Sequence, residues 1–157
     1  MINKNNKNKE ILMTEEGLKE LQKELKKLTE VERSKVLDEL QQARSLGDLS
    51  ENGMYSAARE KQSFIEGRIR ELEDILKNAK VSKGNKSNVG MGNKVILETQ
   101  QKEVEYHIVG AEEVNHEENK ISHQSPLGEA LMGKKVGDTV NVEAPAGVVQ
   151  YKVIGIK

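Results

Sequence analysis

The sequence predicts an α+β protein in two parts: an N-terminal antiparallel two-helix coiled-coil hairpin, then a small β-sheet domain with one short helix. Three observations carry this. Leu and Ile recur at steps of three and four through the first half of the chain. Glycines interrupt that pattern near its middle. Beyond residue 92 the apolar period falls to two, the period of a strand.

Composition limits what such a chain can be. Its 157 residues give room for one ordinary domain or two small ones. Charged residues make up 32% and aromatics 3%, so a single large core is not expected. The net charge of −1 argues against a general nucleic-acid binder, which carries a basic excess. The absence of Cys excludes disulfides and thiolate metal sites and fits a reducing compartment. No apolar stretch follows the basic, Asn-rich first ten residues, so they do not read as a signal peptide. No run approaches the roughly 18 apolar residues of a membrane span. A soluble, cytoplasmic protein with no membrane partner is expected.

Residues 1–12 are expected as a flexible extension, being rich in Asn and Lys. Residues 13–80 carry the hairpin. Thr14 is a capping hydroxyl, and Glu15 and Glu16 follow it at the positive end of the helix dipole. Leu18, Leu21, Leu25 and Leu28 form a heptad seam. The stripe then shifts: Glu32 takes the next place, and Val36, Leu40 and Ala43 resume it in another register. Gly47 ends the helix. Tyr55, Ala58, Gln62, Ile65, Ile69, Leu72, Leu76 and Ala79 make a second seam without a miss. One seam cannot bury itself, but two joined by a short loop bury each other. Each arm of about 30 residues reaches roughly 45 Å. A coiled-coil dimer would not need the interruption at Gly47 and Gly53, so a monomeric hairpin is expected.

Residues 81–92 read as a linker, being rich in Gly, Ser, Asn and Lys. Within the second domain, residues 93–157, the segments 94–99 and 103–109 read as strands around a polar turn. Ser125 is an N-cap with Pro126 at the first helical position, and Gly133 closes a short helix. Residues 139–143 and 148–156 form a last strand pair.

The tip of the hairpin, residues 47–53, holds Asp48 and Glu51. Their spacing is that of a capping box, in which Asp48 caps and Glu51 reaches back. Ser50 and Asn52 are also adequate caps, so the loop has more capping residues than one helix uses. The other reading is a cation site, since two carboxylates suit a hard ion such as Mg²⁺. Two carboxylates alone hold Mg²⁺ poorly, so such a site would be completed by another macromolecule.

Longer motifs add to this reading. Ala43-Arg44-x-x-Gly47-Asp48-Leu49-Ser50-Glu51-Asn52 and Tyr55-x-Ala57-Ala58-Arg59-Glu60 resemble the N-terminal coiled coil of the bacterial transcript cleavage factors, the Gre family. Ser125-Pro126-Leu127-Gly128-x-Ala130-Leu131-x-Gly133-Lys134-x-x-Gly137-Asp138 resembles that family's second signature. The resemblance runs from about Met13 to the C-terminus. It implies a transcription elongation factor whose C-terminal domain, FKBP-like in fold, binds RNA polymerase, with Ser125 and Pro126 in the contact. The hairpin would enter the polymerase secondary channel and stimulate Mg²⁺-dependent cleavage of backtracked RNA, rescuing arrested complexes. Asp48 and Glu51 would be the catalytic acids, holding an Mg²⁺ shared with the polymerase and none by themselves. Arg44 and Arg59 would contact the 3′ end of the nascent RNA. The chain would then be an accessory to the polymerase nuclease and not a self-sufficient enzyme.

One position departs from the family pattern. Met54 stands where many members carry a third acid, which lowers local charge. Some relatives occupy the channel and inhibit cleavage, and this is the alternative reading. Prolyl isomerase activity, suggested by the FKBP resemblance, is opposed by the scarcity of aromatics, since only Tyr106 and Tyr151 follow residue 93. His107, His116 and His123 are scattered and read as ordinary surface residues rather than metal ligands.

Overall fold

The computed structural model describes residues 10–47, 53–99, 102–145 and 147–157. The chain divides into two compact units, Lys19–Asn78 and, around it in sequence, the residues up to Leu18 with Ala79–Lys157.

The first unit is the predicted hairpin. Its first arm runs through α1 (Glu15–Lys27), a π-helical turn (Leu28–Glu32) and α2 (Arg33–Ser45), and the second arm is α3 (Gly53–Asn78). Val36 packs with Ile65 and Ile69 of α3, and Leu25 and Leu28 pack against the same cluster. Leu28 and Val36 are eight residues apart where a heptad seam needs seven. The π turn takes up the extra residue, because its hydrogen bonds close over five residues instead of four. The Thr29 hydroxyl donates to the carbonyls of Leu25 at 2.9 Å and Lys26 at 3.1 Å, within the stretch leading into the wide turn. The register shift in the sequence and the wide turn in the structure are one feature.

Ion pairs join the arms outside the seam. Arg33 donates twice to Glu66, at 2.7 Å for each bond, and Arg68 grips Glu24 at 2.8 and 3.0 Å. Glu66 lies below its ordinary value of 4.5, chiefly through the hydrogen bond from Arg33. On α3 the buried positions are Ala58, Ile65, Ile69, Leu72 and Ile75. The seam expected at Leu76 thus turns inward at Ile75 instead.

The second unit is a five-stranded sheet in the order β5-β4-β3-β7-β6, built from β3 (Lys94–Glu98), β4 (Glu103–Val109), β5 (Lys120–Ser122), β6 (Thr139–Ala144) and β7 (Gly147–Ile156). All neighbours are antiparallel except β4 and β5. The short helix α4 (Pro126–Leu131) contributes Leu131 to a core shared with Val95, Leu97, Ile108, Val140 and Val153. Tyr106 and Tyr151 pack against this core.

Two boundaries differ from expectation. Ile11–Met13 form a strand, β1, parallel to β2 (Ala79–Val81), so Ile11 and Leu12 lie in a sheet where an extension was expected. Met13 is fully buried. The segment expected as a linker is packed onto the sheet domain: Val89 and Met91 are buried. The Val89 amide donates to Lys134 and its carbonyl accepts from Gly133. Asn93, also buried, accepts from the Gly90 amide and donates to the Lys157 carbonyl.

The start of α1 belongs to this second unit. Thr14 caps it as expected, its hydroxyl accepting from the Gly17 amide at 3.0 Å. The Glu113 carboxylate accepts from the Thr14 amide, the Thr14 hydroxyl and the Gly110 amide. A Cβ on Gly17 would collide with that carboxylate and would have to displace it from its place beside Thr14.

Candidate functional site at the end of the hairpin

Helix α2 stops as the sequence predicts. The Leu46 amide bonds back to Ala43 at 3.4 Å, and Gly47 takes a φ of 112°, in the region that favours glycine. Asp48 and Glu51, with Ser50 and Asn52, lie outside the described residues. The flanking helices are described, and they bring the two predicted RNA-contacting residues together.

Arg44 sits in the last turn of α2 and Arg59 in the second turn of α3. Both are exposed. Between them stands Tyr55, four residues before Arg59 and hence on the same face of α3. The Arg44 guanidinium lies 5.8 Å from the centre of the Tyr55 ring, within cation–π range. Hydrogen bonds from Arg44 and then Arg59 hold the Tyr55 phenol below its ordinary value of 10.0. An open depression of about 450 Å³ runs back along the arms from this pair, lined by Leu37, Leu40, Gln41, Arg44, Arg59 and Gln62. It offers two positive charges at one end and two side-chain amides behind them. Met54, where a third acid was noted as missing, is 63% exposed.

Sequence reasoning assigned Tyr55 to the apolar seam and missed this role. The available signal was its spacing of four from Arg59 combined with a polar hydroxyl at the loop-proximal end of the seam.

In the sheet domain, Ser125 and Pro126 differ from each other. The Ser125 hydroxyl accepts from the Gly128 amide at 3.1 Å and donates to the Ser122 carbonyl at 2.7 Å, so its polar capacity is used in capping α4. Pro126 is exposed at the first position of α4. It lines a shallow depression with Glu129, Ala130, Asn141, Val142 and Glu143. Of the two residues, Pro126 is the more exposed, and Ser125 is half-buried.

The histidines do not converge. His107 is lowered from its ordinary 6.5, first by burial and then by Lys94, with Glu16 opposing. A ring nitrogen of His123 lies 3.3 Å from the Val109 carbonyl, and His116 is exposed. Among the described residues no three or more His, Asp or Glu side chains come together as a metal site, and no helix is long and apolar enough to cross a membrane.

The described residues thus form a two-armed helical hairpin with a basic pair near its loop end and a small sheet domain, and comparison with known proteins gives this arrangement a class. The family model "Transcription elongation factor, N-terminal" matches residues 11–81, and "Transcription elongation factor, GreA/GreB, C-term" matches residues 84–157. The chain belongs to the GreA/GreB family. It is 49% identical to "Transcription elongation factor GreA" of Caldanaerobacter subterraneus subsp. tengcongensis, covering 95% of this chain and 98% of that one. Identity is also 49%, with the same coverage, to the protein of that name from Thermoanaerobacter pseudethanolicus. Among solved structures, GreA factor homolog 1 of Thermus thermophilus is 30% identical over 95% of this chain and 99% of that chain, with a TM-score of 0.45.

Proposed function

We propose that this elongation factor binds RNA polymerase through the sheet domain, extends its hairpin into the secondary channel and stimulates cleavage of backtracked RNA by the polymerase. The observation that supports this most is the pairing of Arg44 and Arg59 from opposite arms beside the acidic loop. Two adjacent guanidiniums suit a phosphate, since each donates in a planar fork that matches its oxygens. The arginines would hold the RNA 3′ end while the loop acids act on its scissile phosphate.

Asp48 and Glu51 are hard oxygen donors, which fits Mg²⁺, but two carboxylates are too few to hold it without help. In the assembled complex they would add ligands to an ion the polymerase also holds. Bound there, Mg²⁺ lowers the pKa of an attacking water. The isolated protein then has no nuclease activity of its own. Pro126, exposed beside Glu129 and Glu143, would sit in the polymerase contact, while Ser125 supports it by capping α4.

The test is a stalled, backtracked polymerase complex incubated with Mg²⁺ and this protein, scored for short 3′ RNA products. Their absence, with the polymerase's intrinsic cleavage suppressed, would favour a channel-occupying inhibitor instead. Cleavage of free RNA by the protein alone would contradict the accessory role. Asp48→Asn separates capping from metal binding, because Asn caps as well as Asp and the lost dipole interaction is only about 0.3–1 kcal/mol. Stimulation is expected to fall by at least about 100-fold, with competition for polymerase retained and partial recovery at high Mg²⁺. For docking, Pro126→Asn should weaken competition for polymerase with little change in melting temperature. Ser125→Ala should lower stability by about 1 kcal/mol through loss of the cap.

A further inference from the structure

We propose that Tyr55 is a positioning residue, whose ring and phenolic oxygen hold Arg44 and Arg59 as a single anion-binding pair for a phosphate near the RNA 3′ end. This rests on the cleavage reading above and adds a residue to it. Two guanidiniums on exposed side chains repel each other, and each has several rotatable bonds, so neither has a fixed position unless a third group supplies one. Tyr55 is placed to do this from the first turn of α3. Its ring face lies 5.8 Å from the Arg44 guanidinium across the hairpin, and Arg59 is four residues along its own helix. A phenolic oxygen has two lone pairs, so it can accept from both guanidiniums at once. The pair is therefore pre-assembled before an anion arrives, which spares that ordering cost when it binds. The ring also spans the two arms at the point where α2 ends and α3 begins, so the spacing of the arginines is tied to the backbone of both. Apolar packing alone would not require the hydroxyl.

A double-mutant cycle tests this. Tyr55→Phe keeps the ring and removes the hydroxyl, Arg59→Ala removes one cation, and the double variant carries both changes. The readouts are kcat and KM for stimulated cleavage of a backtracked complex, with melting temperature and competition for polymerase measured on each variant. Tyr55→Phe is expected to reduce stimulated cleavage about threefold to tenfold, the range for losing one hydrogen-bonding group, without altering competition or melting. In the Arg59→Ala background the same change should have a much smaller effect, because residues acting through a shared partner are non-additive. Wild-type cleavage by Tyr55→Phe would overturn the proposal, and so would full additivity with Arg59→Ala. If Tyr55→Phe melts early, Tyr55→His, which keeps an aromatic ring and a polar nitrogen, is put through the same cycle and judged by the same coupling. If the factor stimulates cleavage but neither Arg59→Ala nor Arg44→Ala changes it, the RNA-contact reading of the arginines fails together with this proposal. If the arginine variants lose cleavage while Tyr55→Phe does not, only the positioning role fails.

Discussion

The two arms of the hairpin reach the same end by different routes. The second, α3, runs 26 residues without a break, and its apolar positions keep step almost throughout. The first carries one residue too many between Leu28 and Val36 and stores it in a π turn. The lesson is that the loop-side ends of two arms can meet in phase although one arm is longer in sequence than the seam requires. What matters is that Arg44 and Arg59 arrive on the same side, and the π turn resets the first arm's phase before the 13 residues of α2 that end at Ser45.

Deleting one residue from each arm should break this comparison in opposite ways. Deletion of Gly67 turns every following residue of α3 by about 100° and takes Ile69, Leu72 and Ile75 off the seam. Each loses burial worth about 1.5–3 kcal/mol, which together rivals the whole stability of a small domain. Loss of the hairpin's helical circular dichroism at ambient temperature is expected. An intermediate effect is expected beside the π turn. Arg33 and Glu66 are each over a third exposed, so Glu66→Gln should cost no more than about 1 kcal/mol. The sign follows from the lowered carboxyl: its contribution is present above the ordinary value of 4.5 and fades as pH falls through the lower folded value. Melting curves of wild type and Glu66→Gln should therefore differ at neutral pH and merge in acid. The smallest effect belongs to deletion of Val31, an exposed residue inside the π turn. The turn should close to an ordinary α-helix, Val36 and Arg44 should keep their places, and stability should change by about 0.5 kcal/mol or less. Stimulated cleavage should survive. A collapse as severe as that of the Gly67 deletion would show that the π turn does more than absorb a residue.

Much of this was legible from the sequence because the governing interactions are local. The shift after Leu28 was visible as a broken step, although a broken step does not say whether the helix unwinds, kinks or widens. The caps at Thr14 and Ser125 and the stop at Gly47 follow from side-chain chemistry within three or four residues. Strands β1, β2 and β5 have three residues each, too few for a period of two to show. Val89 and Met91 were hidden in a polar, glycine-rich stretch, and only their partners across the fold explain why they are buried. Arg44 and Arg59 came from motif resemblance, whereas Tyr55 was masked by its apolar ring. The catalytic assignment of Asp48 and Glu51 lies outside the described residues and stands on residue chemistry and resemblance.

The bond between Thr14 and Glu113 has a consequence for the order in which the molecule is made. The two partners are 99 residues apart in sequence. At a ribosomal rate of about 5–20 residues per second, Thr14 emerges roughly 5–20 seconds before the carboxylate that secures it. The hairpin arms need no such wait, since each seam meets its complement as soon as residue 78 is out. Once they zip, Met13 and Val81 are brought side by side, and the open chain between them becomes a closed ring. Glu113 then has only to find a strand pair already formed, a much shorter search than closing a loop of free chain.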